Sequence, residues 1–100
     1  MPPKRILPSM PEGSKTRVRE TFMRLTEGHR KEILRSLEVF KKSRGICYLF
    51  GSHAVDFVRT GRRIFGWSLG DLDDSEAYAI VQELLNWRRH QKNQGRYRGD

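Results

Sequence analysis

The sequence predicts an all-α fold: a small helical domain with a long or two-part amphipathic N-terminal helix, a short middle helix and a C-terminal amphipathic helix, flanked by disordered tails. Three observations predict it. Apolar residues recur at helical spacing through residues 15–44. They do so again after a capping signal at Asp73. The only strand-like run, residues 46–50, has just the short 63–67 stretch as a partner, too little for a stable sheet.

The chain opens on an arm, residues 1–13, that contains all four prolines and is read as mobile. Its Pro2-Pro3-Lys4-Arg5 start has the composition of part of a nuclear import signal, and a solvated tail is the simpler reading. Ser14 is the expected N-cap of the first helix, which runs to Leu25. On a helical wheel with Arg17 at zero, Val18, Phe22, Leu25, Ile33, Leu37 and Phe40 fall at roughly 80° to 200°, one apolar face. Arg17, Arg24, Lys31, Arg35 and Lys42 fall within roughly 40° of one another on the opposite side.

Thr26-Glu27-Gly28-His29 leaves two alternatives. Thr26 caps a second helix, giving an antiparallel hairpin of about 12 and about 16 residues, or one helix of roughly 40 Å runs through Gly28. The wheel keeps its phase across Gly28, which favours the continuous helix.

Gly45 is the expected left-handed residue that closes this segment, with Lys41, Lys42 and Arg44 at the negative end of the dipole. The run Ile46-Cys47-Tyr48-Leu49-Phe50 has no informative period and is expected to be helical or irregular, with Cys47 a small buried side chain. Ser52 is expected to cap a short helix that Gly61 ends, followed by a turn in which Ile64, Phe65, Trp67 and Leu69 seal the core. The last helix begins with Asp73 as N-cap and Glu76 three residues on, and turns Ala77, Ile80, Val81, Leu84, Leu85 and Trp87 inward. These readings give a single helical domain over residues 14–92 and a flexible basic tail over 93–100.

Twenty Lys and Arg against twelve Asp and Glu leave a formal net charge of +8 on 100 residues. That balance points first to a polyanionic partner. Cys47 is the only cysteine, so no intrachain disulfide and no Cys-based zinc site forms. His29, His53 and His90 lie apart in sequence, and Ser52-His53 lacks the geometry of a nucleophile and base. The acids from Asp71 to Glu76 miss the EF-hand pattern, since Glu76 stands where glycine is required, and their place at a helix N-terminus explains them. No phosphate-binding glycine pattern occurs, and Arg98-Gly99-Asp100 is a chance match to the integrin tripeptide. The expectation is therefore a protein that is not an enzyme, with no cofactor, no metal and no small-molecule substrate. No apolar run approaches the roughly 20 residues that cross a bilayer, so no membrane partner is expected. An intracellular protein is expected, cytoplasmic with nuclear import as an alternative.

The basic strip must be weighed against its role in the helix itself. Glu20–Arg24, Glu27–Lys31 and Glu38–Lys42 are i,i+4 pairs in the favoured order, worth about 0.3 to 0.5 kcal/mol each, which leaves Arg17 and Arg35 without a local partner. A basic rod without a reading motif suggests phosphate contacts by shape and charge, with double-stranded RNA the expected target. The candidate nucleic-acid-binding residues are Arg17, Arg24, Lys31, Arg35 and Lys42, with Arg62 and Arg63 near the end of the middle helix. A helix-turn-helix alternative makes residues 26–29 the turn and offers Arg30, Lys31 and Arg35 to DNA.

In size, charge and lack of a cofactor signature the chain resembles the small basic accessory proteins of RNA viruses, some of which bind duplex RNA and suppress RNA silencing; no residue-level motif carries that resemblance. It implies an RNA-binding accessory or regulatory protein. A homodimer joined through Phe22, Leu25, Ile33, Leu37 and Phe40 is expected to complete the small core. The alternative function is a helical adaptor for a partner protein, acting through Met23, Leu34 or Val39.

Overall fold

The computed structural model describes residues 10–66, 69 and 72–96, which form four helices: α1 (Glu12–Arg24), α2 (Glu27–Arg44), α3 (Gly51–Phe65) and α4 (Asp74–Asn93). The fold is all-α. The arm up to residue 9 and the tail from residue 97 lie outside the described residues, as do Trp67 and the side chain of Phe65.

The N-cap of α1 lies three residues before the expected Ser14. Pro11 holds the extended N-cap geometry, and its carbonyl accepts from the amides of Ser14 and Lys15 at 3.1 Å. Proline's fixed φ is compatible with this geometry, which the ψ of 154° makes extended, although it offers no capping side chain. Glu12 and Gly13 are thus helical, and Met10 packs against the core rather than hanging in a free arm.

The N-terminal segment is two helices, and the continuous rod favoured by the wheel does not form. The break falls at Leu25-Thr26, both extended, and not at Gly28. Thr26 Oγ1 accepts from the His29 amide at 3.1 Å, satisfying a first-turn donor that a continuous helix would bond to a backbone carbonyl. Gly28 sits exposed in the first turn of α2, where nothing requires a glycine.

Gly45 closes α2 as expected, with φ 64° and the Ile46 amide donating back to the Lys41 carbonyl at 2.9 Å. The 46–50 run is irregular, and Cys47 is exposed instead of buried. Helix α3 begins at Gly51 with no capping role for Ser52; the Phe50 amide donates to His53 Nδ1 at 3.2 Å. It passes through Gly61, which is helical and buried, and stops at Gly66 with φ 65°. Ile64 is consequently on the exposed side of the last turn, whereas Leu69 is buried as expected.

Helix α4 has the predicted start. Asp73 Oδ1 accepts from the Glu76 amide at 2.8 Å while Glu76 Oε1 accepts from the Asp73 amide at 3.0 Å. Asp73→Ala is expected to cost about 1 kcal/mol of stability, measured by urea unfolding followed by circular dichroism. The helix ends in a Gly95 turn, φ 68°, with the Arg96 amide bonded to the Gln91 carbonyl at 2.9 Å, so residues 93–96 are held rather than frayed.

Helix α4 is the centre of the packing. The backbones of α1 and α3 both approach it closely, and α2 approaches it to a lesser extent. Ala77, Ala79, Ile80, Val81 and Leu84 are buried between them, joined by Val18 and Leu25 below the first corner, by Ile33, Leu34, Leu37 and Phe40 from α2, and by Ala54, Phe57 and Val58 from α3. Leu34 is therefore core and not an exposed adaptor residue, whereas Met23 and Val39 are exposed. Leu25, Ile33, Leu37 and Phe40 pack within one chain, which removes them as the surface for a second copy. No helix among the described residues is long and apolar enough to cross a membrane.

Candidate nucleic-acid interface

The exposed side of α2 carries Lys31, Arg35 and Lys42, which lie within about 40° of one another and span roughly 16 Å of helix. Arg35 and Lys42 are exposed, and Lys31 is half-buried with a partner of its own. Glu38 lies on the same strip, but it turns to α4 and pairs with Arg88 at 3.2 Å instead of with Lys42. Glu20 and Arg24 also make no ion pair among the described residues, so exposed local pairs give way to solvation, as their small worth allows. Arg24, Arg35 and Lys42 are left without a carboxylate partner among the described residues.

Arg17 behaves in the opposite way. Its guanidinium lies 3.5 Å from Glu76 Oε1, the carboxylate of the α4 capping box, which is only 1% exposed. Arg17 therefore serves the α1–α4 contact, and it is no longer an uncommitted cation. The break at Leu25-Thr26 also takes Arg17 and Arg24 off the axis of α2, so the five-residue strip does not exist as one surface.

Helices α2 and α3 lie side by side in opposite directions. Arg44 pairs with Asp56 at 3.8 Å, the rings of Phe40 and Phe57 meet edge to face at 5.4 Å, and farther along a groove of about 460 Å³ opens. Phe40 and Phe57 contribute its apolar lining, and Glu32, Arg35, Val39, Thr60 and Gly61 border it. The structure thus places Arg35 across from the last turn of α3, where Arg62 and Arg63 follow Gly61 directly. Arg63 is exposed, whereas Arg62 is half-buried and holds a further contact.

The helix-turn-helix alternative offers Arg30 to DNA. Arg30 lies inside the corner instead. Its Nη2 donates to the Phe22 carbonyl at 3.0 Å, and the guanidinium carbon sits 4.0 Å from the Phe22 ring centre and 5.3 Å from that of Trp87. Burial lowers its pKa from the ordinary arginine value, and the nearby Glu27 carboxylate opposes the shift. Arg44 is similarly occupied, stacked 4.4 Å over Phe40.

No family model, curated protein or solved structure matches the chain. Its function is accordingly read from the chemistry of its own surface.

That surface carries exposed cations. Among the described residues no three His, Cys, Asp or Glu side chains converge on a common metal position. His53 is engaged with the Phe50 amide, away from any role beside Ser52. The residues that sequence reasoning did not single out are Tyr48 and Phe50, large aromatic side chains that stand in solvent beside the C-terminal end of α2. The only signal for them was a run of five apolar residues between two glycines, which does not say which side chains face outward.

Proposed function

We propose that this protein binds RNA through the phosphate backbone, as a non-catalytic accessory or regulatory protein, with the exposed face of α2 and the last turn of α3 as its contact surface. The observation that carries this reading is the placement of Arg35 and Lys42, exposed and free of carboxylate partners among the described residues, on one face of α2, with the exposed Arg63 in the last turn of α3. Cations spread along a helix suit a chain of phosphates better than a single anion, and the net charge of +8 adds long-range attraction.

The surface differs from the expected rod. A strip of roughly 16 Å reaches fewer phosphates than one of about 40 Å, so the straight-rod argument for a duplex no longer applies. Suppression of RNA silencing, implied by the resemblance to viral accessory proteins, is a setting in which such binding would act, and a silencing reporter assay tests it.

The binding itself is tested by fluorescence anisotropy with single-stranded RNA, duplex RNA and duplex DNA at two salt concentrations. Affinity should fall steeply with salt, and Arg35→Ala with Lys42→Ala should reduce the slope of log K against log[salt] by about 0.7 to 0.9 per lost contact. Sequence preference should not change, since phosphate contacts carry no base information. A flat salt response overturns the reading and favours the adaptor alternative, for which the apolar groove and exposed Val39 are the structural support.

A further inference from the structure

The turn between α2 and α3 holds two aromatic rings in water, and it does so on a fixed frame. Ile46 and Leu49 are anchored against the core, so their neighbours are directed outward: Tyr48 is 76% exposed and Phe50 is 65% exposed. The entry is set by the left-handed Gly45 and the Ile46 amide bond to Lys41, and the exit by the Phe50 amide bond to His53 Nδ1. The Phe50 ring leans on the His53 ring with centres 5.6 Å apart, which restrains it without covering it.

Exposed aromatic rings of this size add little burial to the monomer, since each leaves most of its surface in water. The turn follows directly on the basic end of α2. Lys41 and Lys42 lie in the last turn of α2 without ion pairs among the described residues, and the nearby carboxylate of Asp56 is already held by Arg44. Planar apolar faces beside uncommitted ammonium groups match a ligand that is itself planar and anionic in alternation.

We propose that the Tyr48–Phe50 turn is a stacking platform for unpaired nucleobases, so that the preferred ligand is single-stranded RNA, with the adjoining phosphates on Lys41 and Lys42. This inference rests on the RNA-binding reading above and narrows it. A duplex keeps its base faces stacked inside and offers only edges and phosphates, whereas a single strand presents its bases to protein rings. The strip on α2 then continues the contact along the backbone of the same strand.

The experiment is anisotropy with a labelled single-stranded oligouridine and a fully paired duplex of equal length at one salt concentration. The chains are the wild type, the Tyr48→Ala/Phe50→Ala double variant, Tyr48→Trp, and Arg35→Ala/Lys42→Ala. The double variant should weaken single-strand binding by about 10-fold per ring while leaving duplex binding and the salt slope unchanged. Tyr48→Trp should match or exceed the wild type. Both aromatic positions are exposed, so the thermal unfolding midpoint should stay the same and show that the loss is not one of folding. Equal loss on both ligands, or no loss on the single strand while the Arg35/Lys42 variant does lose affinity, overturns the platform and leaves the charge reading standing. Absence of binding to either RNA overturns both. A wild-type dimer that becomes a monomer in the double variant, measured by light scattering, assigns the rings to self-association and likewise overturns the proposal.

Discussion

Leu34→Ala is expected to lower the free energy of unfolding by about 2 to 5 kcal/mol, enough to shift the midpoint of thermal unfolding by more than about 10 °C in a domain of this size. Leu34 is 0% exposed on α2 and belongs to the same core as Ile33, Leu37 and Ile80. The cost combines the lost transfer of three buried carbon atoms with the cavity left behind, since four helices meeting at one core cannot collapse freely onto it. Val39→Ala is the matched control: Val39 is 66% exposed, and its truncation should stay within about 0.5 kcal/mol. Urea unfolding followed by circular dichroism compares the two. Equal stability in both variants would contradict the packing of α2 described above. Loss of any activity in a Leu34 variant therefore reports on folding, and does not support an exposed adaptor surface.

Arg30→Ala is expected to cost about 2 kcal/mol of stability and to leave RNA affinity per folded molecule unchanged. The guanidinium links three elements: the Phe22 carbonyl at the end of α1, its own helix α2, and the Trp87 ring of α4. Two terms reduce the loss. The Phe22 carbonyl still accepts from the Leu25 amide at 3.1 Å, and Arg30 Nε is buried without a partner in the native chain, a penalty that truncation removes. Arg30→Lys should recover less than half of the lost stability, because an ammonium keeps the charge but neither reaches over two rings at once nor presents a planar fork. Thermal melts and anisotropy on the same preparations separate this structural role from a phosphate contact, which would give the reverse pattern: unchanged stability and weakened binding.

Most helix ends were legible because their signals are local. Asp73 and Glu76 satisfy each other's amides across one turn, and Gly45 adopts the left-handed conformation that other residues resist. The start of α1 was not legible in this way, since Pro11 caps it by backbone geometry alone. Gly61 misled in the other direction: its backbone is helical, and the stop belongs to Gly66 five residues later. A glycine in sequence marks permission for a turn, and the tertiary setting decides whether the turn is taken.

The candidate site was legible in residue type and much less so in arrangement. Sequence found the cations of α2, since their spacing lies within one helix. It gave Glu38 the wrong partner because local pairs are worth only tenths of a kcal/mol, so a cation brought nearer by packing changes the choice. Glu38 goes to Arg88, 50 residues away, and Arg17 goes to Glu76, 59 residues away. Leu34 was misplaced for a related reason: α2 is covered from two sides, by α3 and α4, which widens its buried arc beyond the stripe that one neighbour would require.

By itself the sequence determined that this chain is helical, that it is strongly basic, and that Arg35 and Lys42 share one face of α2. Period, capping chemistry and formal charge are properties of neighbours along the chain. Only the tertiary structure decided that the helix breaks at Thr26, that Arg17 and Arg30 serve the fold, and that Tyr48 and Phe50 face solvent. Each of these depends on which surfaces the packing on α4 brings together, and a one-dimensional pattern carries no term for that.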